Sequence, residues 1–459
     1  MTANITANFN RQTLRVLTLA CLTILITACK VVGPNYERPS MDIPATYKEA
    51  TALKNAKTPT KAIGDNWWAL YDDSELDKLI AQVEIQNYSL QAVDARVRQA
   101  QALTDAANAA NGPTIVAGGK NDLGIVANWE IDLWGRIRRN IESSGAAAQA
   151  SVADRAALKL SLQAQLAQNY FLLRVQDAEI RLLQDTVVSY EQSLKITRNQ
   201  YAVGVADRGS VMQAQTQLSV AQAQAHNARV ARAQLEHAIA VLIGKAPADF
   251  TFVVAPVSAQ VPDVPPALPA ELLQRRPDIA AAERRMAAAS AQIGVAEAAA
   301  YPTLGLFAGL TIRKGVVGGA QMAAPLYPEE TPKAARSKAV AAYEEVVADY
   351  HQTVLNGFRE VEDNLATLQI LEEAANAQDE AVKAGRQAIV TAKNQYGVGI
   401  TSYQALIIMQ AAALDNERAA LTILSRRLVA SVALIKALGG GWDDKALTAM
   451  QAKVIPASY

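Results

Sequence analysis

The sequence predicts a mainly α-helical chain with a small β part: a long antiparallel coiled-coil hairpin and a short β-hairpin, each present twice. Three observations lead there. Apolar residues keep a strict period of seven over two long tracts. Prolines gather at joints and leave two tracts of more than 120 residues without any, after Pro113 and after Pro332. The two halves also match one another. Leu90 to Arg96 (LQAVDAR) aligns with Ile279 to Arg285 (IAAAERR), and each leads to a proline, Pro113 or Pro302, at an offset of 189. Asn199 to Gly204 (NQYAVG) aligns with Asn394 to Gly399 (NQYGVG) at 195, a drift that small loop differences produce.

The N-terminus comes first. Arg11 and Arg15 precede thirteen largely apolar residues, Val16 to Ala28, too short to span a bilayer as a helix. A basic start followed by such a run is a secretory signal, so residues 1–28 are expected to be removed. The run ends in Ile26-Thr27-Ala28-Cys29, a bacterial lipobox, which makes Cys29 the expected first residue and the site of a covalent lipid. Residues 29–65 then read as an extended, lipidated leader rich in Pro, Ala, Thr and Lys.

The first repeat is expected over 66–255, a proline-rich linker over 256–277, the second repeat over 278–445 and a tail over 446–459. The long tracts carry the clearest signal. Leu166, Leu173, Ile180, Val187, Leu194 and Tyr201 recur every seventh residue; so do Val347, Val354, Val361, Leu368, Ala375, Val382, Ile389 and Tyr396. A stripe held at seven stays against a partner only if the helices supercoil to the left. Each tract stops at an equivalent glycine, Gly204 or Gly399, the usual residue for a left-handed helix stop. A second helix follows, Val211 to Ile243 or Gln404 to Leu438. The tips of these hairpins fall at 201–210 and 396–404.

Between the helices, each half holds strand-like sequence, about 114–134 and about 303–326. Turns are expected at Gly118 to Asp122 and near Gly315 to Gly319. Trp129-Glu-Ile-Asp-Leu-Trp134 alternates apolar and acidic residues, the period of a half-buried strand, before Gly135 breaks it. Tilted strands of about ten residues suit a membrane barrel, but four strands cannot close one, since about eight is the minimum. The chain would have to pool strands with copies of itself, with Trp129 and Trp134 as anchors at the membrane interface.

Composition narrows the function. Lys+Arg and Asp+Glu both number 44, so no bulk field points to nucleic acid. Three scattered histidines leave a metal site without ligands, and no nucleophile, phosphate-loop or zinc motif is present. An enzyme is not expected.

The chain resembles the TolC-like outer-membrane efflux channels, in particular the NodT-type lipoprotein branch that serves resistance-nodulation-division pumps. The matching stretches are Val32-Gly-Pro-Asn-Tyr-Glu-Arg-Pro39, Trp67-Trp68 with Asp73 and Leu76, Trp129 to Arg136, Leu272 to Ile279 with Ala281 to Arg285, Ile293 to Ala296, Tyr301-Pro302, and the two tyrosine–glycine tips. The resemblance implies a homotrimer in the bacterial outer membrane, with four strands per copy in a twelve-stranded barrel and a long periplasmic helical tunnel. It implies a periplasmic adaptor and an inner-membrane pump at the tips, outer-membrane lipid around the barrel, and no cofactor beyond the lipid on Cys29. Opening would be an iris-like movement of the tip helices.

The tip residues singled out are Tyr201, Gly204, Asp207 and Arg208 in the first half, and Tyr396, Gly399, Thr401, Ser402, Tyr403 and Gln404 in the second. Family members often carry acidic residues in the second tip; here Gly399 to Met409 has no charge. A neutral constriction is therefore expected, with Tyr403 and Gln404 the candidates to line it. The β-hairpins are also short for the family. A second reading follows from that: a lipid-anchored structural coiled-coil protein of the periplasm, with a barrel too short to conduct.

Overall fold

The computed structural model describes residues 31–49, 64–118, 124–257, 260–262, 264, 269–324, 330–445 and 447. The signal segment, Cys29 and Lys30 lie outside them.

Helix α1 (Ser74–Gln86) begins where the Asp73 carboxylate accepts from the Glu75 and Leu76 amides; α2 (Tyr88–Ala109) begins on the Asn87 side chain in the same way. Strands β1 (Thr114–Gly118) and β2 (Gly124–Ile131) follow, then the rod α3 (Arg136–Ala202) and its return α4 (Arg208–Leu242). The second half repeats the order after a short α5 (Pro269–Arg275): α6 (Pro277–Ala298), β3 (Thr303–Thr311), β4 (Gly315–Ala323), the rod α7 (Glu330–Gly397) and its return α8 (Tyr403–Ala437). At 67 and 68 residues the rods reach about 100 Å.

Asp132 and Glu130 explain why a strand opens directly into α3. The Asp132 carboxylate accepts from the Ile137 and Arg138 amides at 3.1 and 2.9 Å, covering two of the orphan donors of the first turn. Glu130 holds the Arg136 guanidinium at 2.8 Å.

The heptad stripes face inward as expected, from Leu166 through Leu194 and from Val354 through Tyr396, each residue buried or half-buried. Tyr201 is the exception: it lies half-exposed at the end of its stripe. The rods pack on their own returns, and α3 also packs on α6 and α8, so the halves share one core around Trp67, Tyr71, Tyr170, Phe171, Tyr350 and Leu428. A polar clamp crosses that core. Asp177, with its carboxylate buried, receives Arg232 at 2.7 Å and the Ala255 amide at 3.3 Å, while Arg174 caps the Val253 carbonyl. Glu179 beside it takes Arg418 of α8 at 2.8 Å.

The four strands form one antiparallel sheet in the order β1-β2-β3-β4, so the hairpins of the two halves pair through β2 and β3. The second turn corrects the sequence expectation. It is the three residues Ile312 to Lys314, and Gly315 to Gly319 are paired within β4. Glycines marked a turn in the sequence, but a three-residue loop needs only one of them at its end. The return helices also start earlier than expected, at Arg208 and Tyr403, because Asp207 and Ser402 cap them. Among the described residues no helix is long and apolar enough to cross a membrane.

Candidate functional site

Two places hold the residues that the sequence singles out: the sheet and the tips. In antiparallel pairs, opposed residues share a face and alternate along each strand. The pairing puts Ile115, Ile125, Trp129, Leu304, Leu306, Leu310, Val316 and Met322 on one face, with only Ala and Gly between them. That face is free of polar side chains, yet Ile125, Leu310 and Val316 are 58, 63 and 86% exposed. The opposite face is mixed: Thr114, Asn128, Glu130, Thr303, Thr311 and Gln321 stand among glycines, Ala323 and the apolar Val116, Val126, Phe307 and Val317. One face wholly apolar, with every polar side chain of the strands on the other, fits a membrane barrel wall. The outer edges of β1 and β4 have no strand paired to them within the described residues.

Trp129 stands on the apolar face near the helical end of the sheet, and its indole N–H donates to the Asn111 carbonyl at 2.9 Å. Trp134 sits one step further, at the junction of sheet and helices. Its N–H donates to the Pro302 carbonyl at 2.8 Å, and its ring stacks on Tyr301 with centroids 4.6 Å apart.

The tips are built alike. Gly204 and Gly399 have φ of 74° and 76°, the left-handed region. The Val205 and Ile400 amides reach back to the Gln200 and Gln395 carbonyls, and the glycine amides to Tyr201 and Tyr396. Each is the paired 6→1 and 5→2 closure of a Schellman stop. Four apolar side chains stand out at the ends: Val203, Val205, Val398 and Ile400 are all largely exposed. Asp207, Arg208, Ser402 and Gln404 are exposed as well, and Thr401 is half-buried.

Behind the tips, polar contacts bind the two hairpins together. The Thr197 hydroxyl pairs with that of Tyr396 at 2.7 Å, and the Gln200 amide donates to the Tyr396 carbonyl at 3.1 Å. Lys393 donates to Ser189 at 2.6 Å, and Gln410 to Ser193 at 3.2 Å. Tyr403 packs on Tyr396 with centroids 5.4 Å apart, next to Tyr190. Burial raises the Tyr396, Tyr403 and Tyr190 hydroxyls above their usual range and lowers the Lys393 ammonium.

The family described as outer membrane efflux protein matches residues 79–245 and 268–440. The chain belongs to that family. Its relatives include the toluene efflux pump outer membrane protein TtgC of Pseudomonas putida, 28% identical over 95% of this chain and 97% of that one. The pyoverdine export outer membrane protein OpmQ of the same species is 30% identical over 94% and 98%. Among solved structures, the outer-membrane channel OprN has a TM-score of 0.81 at 28% identity, covering 90% of this chain and 99% of that one. The open state of the Neisseria gonorrhoeae channel MtrE has a TM-score of 0.80 at 26%, covering 90% and 98%. The chain is an outer-membrane efflux protein, from a family of channels rather than enzymes. No group of potential metal ligands occurs among the described residues.

The efflux-protein tip corrects one expectation. Tyr403 was a candidate for the constriction, but it is 4% exposed and faces Tyr396 and Leu406 inside the protomer. Its ring completes an apolar cluster that a solvent-facing phenol would leave open. Tyr201 and Tyr396, equivalent in sequence, part company too: the first is exposed, the second joins Thr197. Thr197, Ser193, Gln410 and Lys393 escaped the sequence reading. A signal existed: Thr197 is three residues after Leu194, so it puts a hydroxyl where the heptad calls for an apolar side chain.

Proposed function

We propose that three copies of the chain pool their sheets into one twelve-stranded outer-membrane barrel, continued by the helical rods as a single export duct through the periplasm. The observation that carries this reading is the sheet, with its wholly apolar face and its two open edges. Unpaired backbone groups are costly in hydrocarbon, and pairing β4 of one copy with β1 of the next removes every edge. Trp129 and Trp134 then anchor the inner interface of the bilayer.

Lipid on Cys29 adds a second attachment, and no other cofactor is involved. The exposed valines and Ile400 at the tips offer the surface for a periplasmic adaptor, which would join the duct to an inner-membrane pump. Transport is passive within this subunit, and pump and adaptor select the cargo. Gln404, Asp207 and Arg208 stand as the polar residues nearest the opening, while Thr197 and Tyr396 hold it shut. The two repeats, 66–255 and 278–445, supply one rod pair each.

Conductance of purified trimers in planar bilayers tests the duct. Discrete pores are expected. Intact trimers that pass no current would favour instead the lipid-anchored coiled-coil protein with a non-conducting barrel, a reading that rests on β1 having only five paired residues.

A further inference from the structure

A groove of about 610 Å³ opens at the junction of sheet and helices. Its walls are Val31, Trp134, Ile293, Tyr301 and Val340, and the ion pair of Glu297 and Arg336 stands on its lining at 3.6 Å. We propose that this groove holds an acyl chain carried by Cys29, an inference that rests on the lipidation reading above.

The leader is fixed where it meets the groove. The Val32 amide donates to the Trp134 carbonyl at 3.0 Å. Arg139, 5% exposed, donates to the Val32 and Gly33 carbonyls at 3.3 and 3.2 Å and to the Asn35 side chain at 2.9 Å. Gly33, at φ 88°, lies so close to Gly294 that a Cβ there would come within 2.4 Å of its Cα. Cys29 stands three residues before this fixed point. At about 3.3–3.6 Å per residue it lies within roughly 11 Å of Val32, itself a lining residue. Covalent reach alone keeps a chain carried by Cys29 within range of the groove.

The chemistry of the lining selects hydrocarbon over a phosphate headgroup. Two polar groups that could have met an anion are engaged: Trp134 donates to Pro302, and Arg336 pairs with Glu297. What is left includes the aliphatic side chains of Val31, Ile293 and Val340 and the rings of Trp134 and Tyr301, beside the backbone of Val32 to Pro34. Size agrees. A cavity of about 150 Å³ admits a six-carbon ring, so a sixteen-carbon chain needs roughly 400 Å³. One chain fits, and the others on the same cysteine remain for the bilayer.

Cells fed a diazirine-bearing fatty acid provide the test. After irradiation, tryptic peptides carrying the label are mapped by mass spectrometry. Cross-links from Cys29 to peptides containing Ile293 and Val340 are expected, and Val340→Trp, which fills the groove, should reduce them at least tenfold while Cys29 stays labelled. A labelled Cys29 that cross-links only to bilayer lipid, or only to the strands, overturns the groove and leaves lipidation standing. An unlabelled Cys29 overturns both.

Discussion

On the proposed reading of the tips, the Thr197–Tyr396 pair is the smallest unit on which gating can turn. Both residues are buried, at 0 and 3% exposure. The Thr197 hydroxyl also reaches the Ser193 carbonyl at 2.9 Å, so it is removal of Thr197 that leaves the Tyr396 hydroxyl without this partner. Such a loss costs about 1–3 kcal/mol, enough to shift a closed-to-open ratio by roughly one order of magnitude or more. Thr197→Val should therefore raise the open fraction in planar bilayers; identical records from variant and wild type would show that the tie does not hold the tip. The tyrosines add a pH dependence. Burial raises the hydroxyls of Tyr396, Tyr403 and Tyr190, so the folded tip favours their protonated forms. Their contribution is fully present below the ordinary tyrosine value of about 10 and is lost as pH rises above it. Conductance should increase between pH 10 and 11 in wild type and change less in a Tyr396→Phe, Tyr403→Phe double variant. None of these partners was legible as a pair, because Thr197 and Tyr396 are 199 residues apart and only the folded chain brings them together.

At the level of elements the sequence was a good guide wherever one physical requirement dominates. The heptads located the rods, since one face must stay against a partner for tens of residues. The glycines located their ends, since few other residues adopt a positive φ without cost. Replacing Gly204 and Gly399 with valine should cost about 1–2 kcal/mol at each stop. The expected outcome is weaker adaptor pull-down and lower drug tolerance in cells; full tolerance with both replacements would argue against the stops as docking elements. Where several solutions satisfy the same requirement, the sequence was less informative. The Gly315 to Gly319 stretch fitted a turn as well as a strand, and the structure pairs it within β4. Tyr403 fitted a pore wall as well as a core, and burial decided.

For the whole molecule, the duplicated order of elements and the family were readable from one chain, because repeat offsets and motif order survive loop changes. The apolar face of the sheet was not, since it depends on a register that joins β2 to β3 across the two halves. On the proposed reading lipid and barrel are separate attachments, so Cys29→Ala should abolish acylation yet leave trimers that assemble through their helices. Blue native electrophoresis with palmitate labelling checks both parts; palmitate on the variant would refute the site.

The clamp at Asp177 divides α3 into unlike segments. Above it the rod is held by ion pairs, the leader and the sheet; below it lie about 25 residues, or roughly 38 Å, tied by the apolar cluster around Tyr190 and Leu194 and by hydroxyl and amide contacts. Such a rod is a lever with its fulcrum far from one end. A swing of about 10° below the fulcrum carries the tip some 6–7 Å sideways, on the simple geometry of a 1.5 Å rise per residue. In the proposed assembly the membrane end need not move at all: an adaptor pulling at Val205 and Ile400 dilates the mouth while the barrel wall stays still.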